Sequence, residues 1–494
     1  MLSKSKIIAY RQCPKRLWLE IHRPELRDDS ASQHVFAIGN QVSDIAQEIY
    51  NTDGTGVFID INEIGWPEAF ARSESLLKDG KHIIFEAAMR TKGALALADV
   101  MTPHTDDGEL QWDMVEVKSA ASVKAYHRDD IAVQSFIATS TGVSLSSVSL
   151  AHIDTSYIYP GGGDYSGLLI EADLTEEAIS RHDEVKQWLA GAHTTAAMQA
   201  EPDICTGAHC SCPFSCPFIA HCQSQEPQPE VPTTCLPNFR KKQQLTDQGI
   251  TELRDVPDSM LNPTQIMVKE HTLAGTTYFD PVGAAQDLAQ ATVPGAPHYF
   301  LDFETSNSAI PHWQGTRPYQ QIPFQFSLHT LQPDGTLDQE TFLDLTGNDP
   351  RRGFAEALVR TCGNTGPVFV YNASFEKTVI RREAEAFPDL ADALNAIIER
   401  IVDLLPIAQQ YYYHPSQNGS WSIKYVLPAI CPDLDYSALD GVQDGYMAIA
   451  AYQEAIAPDT TPERNAEIYR QLHEYCELDT LAMVRLWEFF VGEA

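Results

Sequence analysis

The spacing of apolar residues changes several times along this chain. KHIIFEAAMRTKGALALADVM (81–101) and LQWDMVEVKSA (110–120) carry β-rich apolar runs broken by turn residues, which predicts strands. DDIAVQSFIATSTG (129–142) then shifts to helical spacing. Further on, HYFLDFET (298–305) and PVFVYN (367–372) are short β-rich runs, and SFEKTVIRREAEAF (374–387) is helical. ERNAEIYRQLHEYCELDTLAMVRLWEFF (463–490) reads as one long amphipathic helix. Strands interleaved with helices in both halves predict an α/β protein.

The clearest break is QSQEPQPEVPTTCLPNF (223–239), rich in proline and polar residues. It predicts a first domain over 1–225, a linker and small helical connector over 226–295, and a last domain over 296–494. Within the connector, QGITELRDVP (248–257) has the rhythm of a helix-hairpin-helix unit, though a packed connector gives the same pattern.

Acids concentrate at the ends of the C-terminal runs. Asp302 and Glu304 lie two apart on a strand and share its face. Glu376 opens a helix, and Tyr475 and Asp479 are i and i+4 on the last one. Carboxylates delivered from separate segments would converge only around divalent metal, which offsets their charge. Two ions about 3.5–4 Å apart would activate water and stabilise the leaving oxygen of a phosphodiester, with Tyr475 orienting the water. The segments YFLDFET, VYNASFE and YCELD, in that order, resemble the three motifs of the DEDD exonucleases, proofreading relatives with an RNase H-like sheet. Tyr-x3-Asp resembles the tyrosine subclass. Glu376 stands where that family has Asp, and Asp403 matches a secondary acid of such folds. The resemblance implies Mg²⁺ or Mn²⁺ at Asp302, Glu304, Glu376 and Asp479, and 3′→5′ polarity.

The N-terminal half holds a second set. Asp99 ends a strand, Glu116 and Lys118 share a face of the next, and Gln134 lies on the following helix, with Glu86 a further acid. An Asp followed by Glu-x-Lys suits a phosphodiesterase in which Asp99 and Glu116 hold metal and Lys118 balances charge. The chain has ten cysteines, and Cys205, Cys210, Cys212, Cys216, Cys222 and Cys235 fall in one short stretch, with Cys13 near the start. Without a signal peptide, metal ligation is a better default than disulfides. One early cysteine plus the trio Cys210-x5-Cys216-x5-Cys222 resembles the staple of RecB-family nucleases, including those of CRISPR adaptation. That resemblance implies a PD-(D/E)XK, restriction-endonuclease-like domain clipped by a 4Fe–4S cluster on Cys13, Cys210, Cys216 and Cys222. Zn²⁺ on the same thiolates is the alternative. Where such nucleases carry a histidine after a glycine of the first helix, this chain has Ser43 and Asp44 after Gly39.

Length changes the picture little: 494 residues at 43% apolar content predict two or three globular domains. No run reaches the roughly 20 apolar residues of a membrane helix, and a cytoplasmic location is expected. Charge changes it more. With 68 acidic and 34 basic residues the net charge is −34, which repels a polyanion in bulk. Nucleic-acid binding therefore needs metal and local cations, the candidates being Lys15 with Arg16, Arg240 with Lys241 and Lys242, Arg351 with Arg352, and Arg381 with Arg382. In NGSWSIKYVLPAI, Ser422, Lys424 and Tyr425 lie at a turn-to-helix junction suited to substrate phosphate or to a plain capped helix. The expectation is a two-site nuclease acting on nucleic acid, DNA rather than RNA, in repair or defence. A nucleic-acid scaffold with lost activity and a redox-sensing cluster protein are the alternatives.

Overall fold

A computed structural model describes residues 1–28, 33–241, 244–245, 248–434 and 436–492, so Lys242 lies outside the described residues. The chain is a mixed α/β protein of two units, Met1–Gln228 with Ser308–Tyr319, and Pro229–Asn307 with Gln320–Ala494. The division groups most of the connector with the second unit.

The first unit is built on a seven-stranded mixed sheet. Its strands are β1 (Leu2–Ser3), β2 (Val57–Phe58), β3 (Ile84–Thr91), β4 (Ala94–Asp106), β5 (Glu109–Lys118), β6 (Leu145–Ile153) and β7 (Leu169–Asp173). They run β2-β3-β4-β5-β6-β7, with β1 on β4. The β3–β4 hairpin closes through Lys92–Gly93, where Gly93 takes φ 100, a conformation open to glycine. Helix Ala125–Ser140 packs Ile131 and Ile137 into one core, while Phe85, Val100 and Val115 enter another. The segment Ser308–Tyr319 adds Ala309 and Ile310 to that second core. Tyr159 N donates to Thr316 O at 3.0 Å.

In the second unit a two-stranded pair joins β8 (Tyr278–Phe279) and β14 (Tyr412–Tyr413). A five-stranded sheet carries β9 (His298–Ser306), β10 (Ile322–Leu331), β11 (Leu337–Leu343), β12 (Val368–Val370) and β13 (Ile401–Asp403). Its order is β11-β10-β9-β12-β13, antiparallel among β9, β10 and β11 and parallel from β9 through β13. In chain order within the sheet this is 3-2-1-4-5, so β9 is central. Its alternation divides the strand: Tyr299, Leu301 and Phe303 enter one core with Phe326 and Phe354. Phe300 enters the other with Trp487 and Phe490 of the last helix. Asp302 and Glu304 share the parity of Phe300 and so face that helix.

The last helix, Pro462–Val491, is fixed at both ends. Thr461 caps it by accepting from Arg464 N, and Gly492 ends it at φ 82. Its register on the sheet is set by alternate polar residues of β10. Gln325 Nε2 donates to Leu472 O at 2.8 Å. Ser327 Oγ and His329 Nδ1 each lie 2.8 Å from Thr480 Oγ1. These contacts hold Tyr475 and Asp479 over β9. Among the described residues no helix is long and apolar enough to cross a membrane.

Candidate functional site

Asp302, Glu304 and Asp479 bring one carboxylate oxygen each within 4.8 Å of one another. All three edge a cavity of about 440 Å³, shared with Tyr475, Lys424, Tyr371, Asn372, Trp421 and apolar residues. Burial, then Asp479 and Glu304, push Asp302 well above the usual carboxylate range. Burial and Asp479 do the same to Glu304. Asp479 rises to about 6, because burial outweighs help from Tyr436 and Lys424. Tyr436 donates to Asp479 Oδ1 at 2.6 Å. Half-buried Asp302 and buried Glu304, each raised by the neighbouring Asp479, suit a divalent cation that offsets the crowded negative charge.

The other acids expected here sit elsewhere. Glu376 opens helix Ala373–Ala386, buried, with Oε2 unpartnered, outside the group of three and off the cavity wall. Burial lifts it to about 8. Asp403 spends both oxygens on backbone, accepting from Asn372 N, Ala373 N and Leu405 N at 2.9 Å each. It is a structural cap.

The first unit aligns its acids across three neighbouring strands. One step beyond the Val100↔Val115 pair, Asp99 lies opposite Glu116. Between Phe85↔Val100 and Ala87↔Ala98, Glu86 lies opposite Asp99. Glu86 takes φ 56, a strained setting for a side chain of its size. Glu116 is almost wholly enclosed, and its Oε1 accepts from Lys4 Nζ and Lys118 Nζ, both at 2.6 Å. Gln134 Nε2 donates to Glu116 Oε2 and, at 3.1 Å, to Leu97 O. Lys118 also pairs with Asp130 at 3.0 Å, and Asp99 Oδ2 accepts from Val117 N at 2.7 Å. Burial would raise Glu116, but Lys118 and Lys4 outweigh it and hold it to about 2. Burial, then Glu116, pushes Asp99 well up.

The four expected cysteine ligands are all buried in the first unit. Cys210, Cys216 and Cys222 share a cluster with Trp18, Leu19 and Phe218. Cys13 precedes helix Pro14–His22 and is among the neighbours whose charge Cys216 senses. Gln12 Nε2 ties the early helices to this loop by donating to His209 O at 2.8 Å and Phe214 O at 2.7 Å. Cys205 and Cys212 are exposed, and Cys235 lies in a separate core. Burial lifts Cys222 to about 11.

Several expected cations are spent on acids. Lys15 pairs with Glu201 and Arg16 with Glu20, while Arg351 holds Asp349 and Arg352 holds Glu356 and Asp389. Lys4, Asp130 and Tyr436 were not expected from sequence.

The chelated protein is expected to lose stability between pH 6.5 and 8. Glu376 and Glu383 have folded values of about 8, raised chiefly by burial. A raised folded pKa gives stability that is present at low pH and lost as pH climbs through it. Below about pH 6.5 the buried His127 and His329, each pushed down to about 4 by burial first, oppose the trend. Thermal melts in chelator should therefore show Tm falling by about 5–10 °C across that window. A flat or rising Tm contradicts these ionisation states.

Residues 299–422 are similar to a family described as a domain of unknown function (DUF2779). The match covers less than half of the chain, includes Asp302, Glu304 and Glu376, and stops short of Lys424, Tyr475 and Asp479. No curated protein matches the chain.

Proposed function

We propose that this chain is a metal-dependent nuclease whose second unit hydrolyses phosphodiester bonds of nucleic acid. The observation that carries the reading is the meeting of Asp302, Glu304 and Asp479 at one cavity, with Tyr475 one helical turn from Asp479. The 3-2-1-4-5 sheet supports an RNase H-like fold, and with the motif order it favours a DEDD-type 3′→5′ exonuclease. Asp302, Glu304 and Asp479 would hold Mg²⁺ or Mn²⁺, which supplies an activated water and neutralises charge at phosphorus. Tyr475 borders the space that water would enter. Tyr436 fixes the Asp479 carboxylate through its hydrogen bond. Glu376, away from the three, is left to act on the site through its charge alone.

For the first unit the reading is a RecB-like PD-(D/E)XK nuclease, supported by Glu86, Asp99 and Glu116 side by side with Lys118 and Gln134. Cys13, Cys210, Cys216 and Cys222 would hold a 4Fe–4S cluster that ties the chain's start to residue 222. One observation favours a second reading of this unit as a nucleic-acid-binding scaffold: Lys4 joins Lys118 on Glu116, neutralising the carboxylate that metal would use. DNA is the favoured substrate and the cytoplasm the favoured location.

End-labelled single- and double-stranded DNA and RNA, incubated with Mg²⁺ or Mn²⁺, test this. Wild-type protein should shorten DNA from its 3′ end. Asp302→Ala should stop that shortening, and Lys118→Ala should remove only cleavage due to the first unit. Cleavage unchanged in both variants would refute the assignments, and 5′ shortening would refute the polarity.

A further inference from the structure

Among the described residues, Lys424 is the only cation on the wall of the acidic cavity. Its Nζ donates to Gln443 O at 2.8 Å and Tyr475 Oη at 3.2 Å. It also stands 5.0 Å from the ring centres of both Tyr436 and Tyr475. Among the described residues no carboxylate reaches ion-pair distance of it, unlike the arginine pairs described above. An ammonium has three N–H donors. Two are occupied, and the third remains for whatever enters the cavity.

A site built only to bind cations gains nothing from a fixed positive charge. That charge repels the very ions the carboxylates attract. A site built for a phosphodiester does gain. Three carboxylates with the two divalent ions of a two-metal phosphodiester site would leave one positive charge, which a phosphodiester cancels. When the attacking water has given up its proton, substrate and nucleophile together carry two negative charges. Lys424 supplies the balancing charge for that state, so its contribution is greatest in the transition state.

We propose that Lys424 is a catalytic residue of this cavity, its free N–H receiving a non-bridging oxygen of the scissile phosphodiester. The inference rests on the nuclease reading. In the step it serves, the water oxygen bonds to phosphorus as the bond to the leaving sugar oxygen breaks. The water's proton passes to solvent, and the leaving oxygen takes one back. By donating to the Tyr475 hydroxyl, Lys424 also turns that group's own proton away from itself.

The test compares Lys424→Met, Lys424→Arg and Asp302→Asn on end-labelled single-stranded DNA with Mn²⁺. Lys424→Met should lower kcat about 100-fold with KM changed less than about threefold, the size of effect seen when a transition-state donor is lost. Lys424→Arg, keeping charge and donors, should stay within about tenfold of wild type. Calorimetric titration with Mn²⁺ alone should show tighter binding in Lys424→Met, a gain that structural damage does not produce. If the methionine variant fails to fold, Lys424→Gln takes its place. A kcat within threefold of wild type, or a loss confined to KM, overturns the proposal while Asp302→Asn is inactive. If Asp302→Asn cleaves like wild type, the nuclease reading itself has failed and takes the proposal with it.

Discussion

Asp302→Asn is expected to abolish cleavage and to make the metal-free protein more stable. The activity side follows from position: Asp302 is one of the three acids that meet, and it lies on the central strand of its sheet. Asparagine keeps the shape but removes the charge that draws metal, so a loss of at least about 10³-fold is expected. The stability side follows from electrostatics. Burial first, then the charges of Asp479, Glu304 and Glu376, make ionised Asp302 costly. A neutral isostere removes that repulsion, and sites strained for function commonly gain stability when disarmed. In chelator at pH 8 the variant's Tm should exceed wild type by about 2–6 °C, and added Mn²⁺ should narrow the gap by stabilising wild type more. Activity within tenfold of wild type would remove Asp302 from the catalytic centre. An unchanged or lower Tm in chelator would show that its carboxylate is not repelled as described.

What could be read from sequence divides along a physical line. The mixed α/β class and the pairing of Asp302 with Glu304 follow from strand alternation, a local rule. Placing Asp479 and Tyr475 together needed only helical spacing. Bringing the two pairs into one cavity needed the grip of Gln325, Ser327 and His329 on the last helix, and no local pattern encodes it. Glu376 shows the limit. Its motif reads as a ligand, yet the packing of helix Ala373–Ala386 turns it into a buried acid apart from the three. Lys4 was invisible for the opposite reason: its partner Glu116 is 112 residues away. Tyr436, 43 residues from Asp479, was missed likewise. Spacing made the strand and helix pairs legible, the resemblance in motif order alone suggested that Asp302 and Glu304 meet Asp479, and neither reached Lys4 or Tyr436.

The thiol cluster carries the other large effect. Cys216→Ser is expected to strip the cofactor proposed for these thiolates and unfold part of the first unit, while the 3′ shortening proposed for the second unit survives. Wild-type protein purified without oxygen should be brown, with broad absorbance in the visible blue and both iron and sulfide on analysis. Iron–sulfur and zinc are separated by that colour and by metal analysis, since four thiolates serve either. Burial raises Cys216 and Cys222, so without a cofactor these thiols stay protonated at neutral pH, and ligation releases their protons. Besides a cofactor the ligand loop is held by a small apolar cluster around Trp18 and Phe218, the two Gln12 hydrogen bonds, Arg16 over the Phe214 ring, Lys15 Nζ on Gln225 Oε1 at 3.1 Å and Asp28 N on Pro217 O at 3.0 Å. Loss of a shared ligand should loosen it, so limited proteolysis of Cys216→Ser should cut within residues 205–226, where wild type resists. Colourless protein carrying stoichiometric zinc would replace the cluster with a zinc site. A variant that keeps its iron and its protease resistance would remove Cys216 from the ligand set.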